Sequence, residues 1–502
     1  MRRMCVCVLC AVVSGLLMWG MLLGNGVRPG MAQEKGAAGS GPSSVSFIRD
    51  VAPILKENCF ACHDAKKKLG KYDMTSYEKL LAGGANGEAV IPGKPEESEL
   101  YTLMVSQEER RMPPRDKGEA VPASKAEVVR RWIAEGAKLD GGIDAKADLN
   151  KELRVRWQPP RPPQVYPYPA IINALTFTPD GKHLISSGHH ELLVWDVGSG
   201  KLLRRIWTRA ERAYGMVFLP DGHLVVAGGR PGQEGDVRVY RWDASGPVLD
   251  GVMQLDGVHD PKVLVKHLVD TDDAVLCVAA TPDGKRIAAG GCDRSVRIFD
   301  ASRGVTQAEL MQTVENHADW VLGCAWTADG QYLLTASRDK TAKVWNVAAK
   351  ESVVTFPEHQ SPVYGVAVRP DGSLGYSVGG DKQLRMWNPK GEGKQVGSSG
   401  GHTNEVYKVA IDGSGKYLVT GGADRSVRLW DVSGKGKVAT VRQWTGLSDH
   451  VFAVAFSPDG QMVAAGCYDG MVTVWKTSDG SVVRQWNASP GLSAAGNPTV
   501  PK

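Results

Sequence analysis

From about residue 166 onward the chain is written in short apolar runs broken by polar turns. Val451-Phe452-Ala453-Val454-Ala455-Phe456 is representative, with the length and composition of a strand buried on at least one face. Tight turns separate such runs: Pro179-Asp180-Gly181, Pro220-Asp221-Gly222, Pro282-Asp283-Gly284, Pro370-Asp371-Gly372 and Pro458-Asp459-Gly460. Ala328-Asp329-Gly330 and Gly413-Ser414-Gly415 fill the same place in two further units. Trp195, Trp242, Phe299, Trp345, Trp387, Trp430 and Trp475 recur at intervals of 42 to 57 residues. Trp195, Trp242 and Trp430 keep a following aspartate. A repeat of about 40 to 45 residues closing on a strand-ending Trp-Asp pair predicts propeller blades, and closing them in a ring removes the exposed sheet edges. Before residue 141 the pattern is helical. Asp50 is placed to cap a short helix running to about Asn58, with Pro53 in its first turn. Ser124-Lys125-Ala126-Glu127 reads as a capping box opening a helix through about Ala137, with Val128, Val129, Trp132 and Ile133 on its apolar face.

The seven units resemble the WD-repeat family, which implies a seven-bladed propeller over residues 166–487. Extra length around Ala244 to Asp273 reads as a protruding loop between the second and third units. His317, His359 and His402 each precede an aspartate by 22 residues (Asp339, Asp381 and Asp424), with His450, Asp469 and Trp475 as a looser fourth set. A His-Asp pair suits general-base chemistry, but an active site is needed once and this pattern repeats blade after blade. The resemblance implies a structural hydrogen-bond network there. His189-His190 falls outside the pattern and reads as turn polarity, with no third metal ligand evident.

Five residues carry distinct chemistry. Cys59-Phe60-Ala61-Cys62-His63 is a C-x-x-C-H run, the attachment pattern of a covalent c-type haem. Two thiols add to the porphyrin vinyl groups, and the next histidine is placed to bind the iron. A second Cys/His pair at zinc-site spacing does not follow. For the opposite axial position the candidates are Met112, in Arg111-Met112-Pro113-Pro114, with Met104 and Met74 as rivals. Such attachment requires export. Arg2 and Arg3, an apolar run from Met4 to Leu23, and Gly30-Met31-Ala32 read as a signal peptide over residues 1–32, or, uncleaved, as an inner-membrane anchor. Either places the rest in the periplasm or otherwise outside the cytoplasm. Of nine cysteines, Cys5, Cys7 and Cys10 fall in the leader; Cys277, Cys292, Cys324 and Cys467 read as small buried hydrophobes, with a Cys277–Cys292 disulfide open. A net charge of +5 over 502 residues gives no nucleic-acid footprint.

The segment 46–140 resembles the planctomycete-type cytochrome c domain. The matching pieces are the C-x-x-C-H run, Gly70-Lys71-Tyr72-Asp73-Met74, Gly83-Gly84 with Gly87, Pro92-Gly93-Lys94-Pro95 with Ser98, Met112-Pro113-Pro114, and Trp132-Ile133 with Gly136-Ala137. The resemblance implies one haem c per chain, His63 as proximal and Met112 as distal ligand. The whole chain then reads as a small all-α cytochrome c domain followed by an all-β propeller. A flexible linker covers 33–45, a Pro-rich linker 141–165 whose prolines make a stiff spacer, and a disordered tail 488–502. The functional expectation is an exported electron carrier with the propeller docking a redox or assembly partner. The alternatives are a scaffold with the haem as redox sensor, and an oxidoreductase holding a second cofactor in the propeller.

Overall fold

The computed structural model describes residues 44–434, 436 and 438–492. The expected leader, most of the 33–45 linker and residues 493–502 lie outside the described residues. Among those described, no helix is long and apolar enough to cross a membrane. The chain divides into two compact units, to residue 155 and from 156.

The first unit is helical. A π-helical turn, Phe47–Val51, leads into α1 (Ala52–Asn58); α2 (Tyr77–Ala82), α3 (Glu99–Val105), α4 (Ala123–Ala134) and α5 (Leu149–Arg156) follow. Asp50 does not start the first helix. Ser46 is the N-cap, its Oγ accepting from the Arg49 N–H, while Asp50 reaches back to accept from the Ser46 N–H at 2.9 Å. The Ser124–Glu127 capping box is likewise absent: α4 begins at Ala123 behind Pro122, and Glu127 pairs with Arg130 instead. Pro122 is the N-cap itself and carries no side-chain acceptor, so α4 starts without a side-chain cap. The core centres on Phe47, whose ring lies 5.2 Å from both Tyr77 and Trp132. Leu149 and Leu153 of α5 join it, so the region read as a linker contributes packed residues.

The second unit is a seven-bladed propeller. Blade 1 runs from strand Leu175–Phe177 to Leu202–Trp207, blade 2 from Arg212–Phe218 to Leu264–Thr271, and blade 3 from Val275–Ala280 to Glu309–Val314. Blades 4 to 7 begin at Val321–Trp326, Val363–Val368, Val406–Ile411 and Val451–Phe456, and the last ends at Val482–Asn487. The turns form as their sequence demands. In Thr178 to Gly181 the Gly181 N–H donates to the Thr178 carbonyl at 2.8 Å, with Gly181 at φ +69°. In six blades the innermost strand bulges at one register, after Ala213, Val275, Val321, Val363, Val406 and Val451. The residues past the bulge, Gly215, Cys277, Gly323, Gly365, Lys408 and Ala453, line the central channel.

The repeated His-Asp pairs are structural. His402 Nδ1 is 2.9 Å from Asp424 Oδ2, its Nε2 is 2.7 Å from Thr420 Oγ1, and Trp430 Nε1 donates to the same hydroxyl at 2.9 Å. His359, Asp381, Ser377 and Trp387 repeat the chain of bonds. His317 binds Asp339 and Thr335 likewise. His450 and Asp469 share no hydrogen bond among the described residues. His190 is buried in a turn at φ +57°, beside the Trp157 ring, and burial lowers its pKa to about 4.

Three expectations change. The second-blade marker is Tyr240, fully buried and paired with Leu224; Trp242 lies beyond the strand, next to His183. The Ala244–Asp273 insertion is not a free loop. It contains a hairpin, Val248–Leu249 and Val252–Asp256, whose second strand pairs in parallel with Leu202–Trp207, extending blade 1 to six strands. The proline-rich segment is not a spacer either. It straps blade 1: the Pro160 carbonyl accepts from Trp207 Nε1, Arg161 stacks 3.7 Å over that ring, and Arg205 donates to the Pro163 carbonyl. Tyr166 donates to Glu191, itself paired with Arg205 at 2.7 Å. The ring then closes where the Tyr166 N–H meets the Pro490 carbonyl and the Ile172 N–H meets the Cys467 carbonyl, over a core holding Ile172, Trp195, Val474 and Trp486. Ala488, Ser489 and Leu492 are buried, so packed chain continues past residue 487.

Two outcomes follow. Burial alone would raise the Asp424 carboxyl, but the His402 hydrogen bond and charge, with Ser426 and the Thr403 N–H, hold its pKa at about 2. Its unfolded value is about 3.9, so its contribution is present above that pH and lost as pH falls toward 2. Acid titration of unfolding should show a loss of about 2 kcal/mol in this window, reduced in Asp424→Asn. Replacing Arg205 by Met strands the buried Glu191 charge and should cost about 3–5 kcal/mol in denaturant titration, with Glu191→Gln added to it recovering much of the loss.

Candidate haem site

Helix α1 delivers the C-x-x-C-H run. The Cys59 and Phe60 N–H groups both donate to the Leu55 carbonyl, ending the helix. Cys62 and His63 then turn back, each donating its N–H to the Cys59 carbonyl at 3.1 Å. The Leu69 N–H bonds the Cys62 carbonyl and the Met74 N–H bonds the His63 carbonyl at 2.8 Å, so the residues carrying the second thiol and the imidazole are tied on their C-terminal side. Asp64 accepts from the Lys66 and Lys67 N–H groups, and Lys67 Nζ donates to the Ala61 carbonyl. The His63 ring lies 5.6 Å from the Tyr72 ring, which is held by a hydroxyl bond to the Leu80 carbonyl. Tyr72 was not singled out as a site residue in the sequence; its neighbourhood to His63 arises only when the 63–74 loop folds back.

Cys59 and Cys62 are both free thiols. Burial, with a smaller effect from Cys62, pushes the Cys59 thiol up to about 12, the reverse of the lowered value a reactive C-x-x-C thiol needs. His63 Nδ1 is buried without a hydrogen-bond partner. Among the described residues, no three His, Cys, Asp or Glu side chains converge as metal ligands.

The three candidate methionines differ in exposure. Met74 and Met104 are buried in the helical core, whereas Met112 is 39% exposed, its N–H bonded to the Leu103 carbonyl. Leu69 and Val105 are also exposed. The Leu69 N–H is bonded to the Cys62 carbonyl, and Val105 closes the helix whose Leu103 carbonyl accepts from Met112. These residues fit a flat apolar group bearing a metal: two thiols, an imidazole with an unpartnered nitrogen, an exposed thioether and bare aliphatic side chains.

The site and fold together define a small cytochrome c-like unit followed by a propeller of WD type. Residues 59–116 match the family described as Planctomycete cytochrome C, and 163–196, 262–300, 308–346, 350–388, 393–431 and 440–476 match the WD domain, G-beta repeat. The chain therefore joins a planctomycete-type cytochrome c segment to a WD-repeat propeller. The matched repeats skip 197–261, where Tyr240 replaces the tryptophan and the hairpin intervenes. WD repeat-containing protein 1 of Xenopus tropicalis is 38% identical over 89 residues, 18% of this chain and 14% of that protein. Telomerase protein component 1 of Rattus norvegicus is 38% identical over 89 residues, 17% of this chain and 3% of that protein. Nuclear distribution protein PAC1 of Arthroderma benhamiae is 25% identical over 235 residues, 46% of this chain and 48% of that protein. The chain thus spans less than half the length of each.

Proposed function

We propose that this chain is an exported mono-haem c-type cytochrome that carries electrons and docks a redox or assembly partner through its propeller. The observation that carries the reading is the C-x-x-C-H turn, with both thiols free, inside a segment matching the planctomycete cytochrome C family. Cys59 and Cys62 would hold the haem covalently, and His63 and Met112 would supply its iron ligands. Bound there, haem would supply a one-electron couple whose potential a methionine ligand raises. The chain's own part is to hold the imidazole through the Cys59 and Met74 backbone bonds, and to cover the apolar faces with Leu69, Val105 and Met112.

Docking is the role WD-type propellers support, since seven blades present loops on rigid sheets. The cavity at the central channel is about 180 Å³, below the roughly 300 Å³ at which small-molecule pockets begin, whereas two clefts beside blade 1, of about 530 and 380 Å³, exceed it. Export places the chain in the periplasm, by a leader either cleaved or retained as an anchor.

Matured in an export-competent host, the protein should show one covalent haem by pyridine haemochrome and a weak far-red sulfur-to-iron band. Met112→Ala should abolish that band while the haem stays attached; Cys59→Ala with Cys62→Ala should abolish attachment. A band that persists in Met112→Ala would transfer the ligand role to Met74 or Met104, and protein without covalent haem would refute the reading.

A further inference from the structure

The channel ring departs from small apolar residues at two places, Cys277 and Lys408. Gly215 and Gly323 show what that register requires. A Cβ on Gly215 would lie 2.9 Å from the Val278 N of the next blade, and one on Gly323 would lie 3.3 Å from the Val366 N. Cys277 occupies this register in blade 3, and Cys324 the register of Val278 and Val366 in blade 4. The Cys277 side chain is therefore directed at the backbone of Cys324. Cys277 Sγ lies 3.6 Å from the Gly290 carbonyl of its own blade and 4.0 Å from the blade 4 carbonyl of Val321, and Cys324 Sγ lies 3.8 Å from the blade 3 carbonyl of Ala288. Cys292, the pairing candidate left open by sequence, packs instead among Ala274, Tyr214 and Trp320.

We infer that Cys277 and Cys324 form a disulfide-competent pair that staples the inner strands of blades 3 and 4 when a disulfide-bearing oxidant is supplied. One thiolate attacks the oxidant's disulfide, making a mixed disulfide and releasing one reduced sulfur. The second thiolate displaces the other, so that two cysteine thiols lose two protons and two electrons and the oxidant becomes two thiols. Each thiol is the largest influence on the other, lowering Cys277 and raising Cys324. Lys408 shares their cavity and has no hydrogen-bond or ion-pair partner among the described residues. Burial lowers its pKa, with the two thiols acting against that. The inference is independent of export and of haem.

Treating the purified full-length, haem-loaded protein with dithiodipyridine, a small aromatic disulfide, tests it. Pyridinethione release is followed by absorbance and the bonds by peptide mass mapping without reduction. The expected result is a linked Cys277–Cys324 peptide pair, two pyridinethiones released from that pair, and Cys324 left as a mixed disulfide in Cys277→Ser. Recovery of the two cysteines as separate pyridyl adducts, as unmodified thiols, or joined to Cys292 or Cys467 would overturn it. A Cys59–Cys62 link in the same map would count against the haem reading alone.

Discussion

Closing the ring is the constraint on which the propeller depends. Among the described residues no blade borrows a strand from the other end of the chain: blade 7 is built wholly from 451–487 and the inner strand of blade 1 begins at Leu175. The seam between them is therefore an interface of side chains and of the segments flanking the ring. Ile172, Trp195 and Trp486 fill it, and the 166–172 and 487–492 segments bond across it. The buried Glu191–Arg205–Tyr166 cluster locks the first of these segments to blade 1. This explains why the prolines are pressed against a blade: their fixed backbone offers carbonyls to Trp207 and Arg205 without leaving N–H groups unsatisfied.

The helical unit meets a different limit. Its helices are short, and its core is centred on a few large rings, Phe47, Tyr77 and Trp132. A unit of this size buries a modest share of its surface and gains from a bound group that completes the core. Leu69, Val105 and Met112 are left exposed outside that core.

Strand content, blade number and the structural nature of the histidine–aspartate pairs were legible because each rests on local signals repeated many times. What failed rested on single signals. Trp242-Asp243 imitates the blade marker, but the buried place goes to Tyr240, because strand register follows the turn at Leu219 to Leu224. Asp50 and the Ser124–Glu127 pair look like caps, yet Ser46 and Pro122 stand at the helix starts. The insertion's parallel pairing, and the meeting of Cys277 with Cys324, join residues dozens of positions apart, and no local pattern announces such contacts. The C-x-x-C-H run was legible as a spacing; that Tyr72 sits beside His63, and that Met112 alone of three methionines is exposed, required the folded loops.

The returning hairpin has a consequence for assembly in time. Blade 1's own outer strand, Leu202–Trp207, is covered by residues 252–256, which follow the first three strands of blade 2 in the chain. A chain emerging from its N-terminus thus exposes an unpaired sheet edge on its first blade until most of the second has been made. The two blades consequently form a single unit of maturation, whereas blades 3 to 7, each built from consecutive strands, can be added one at a time.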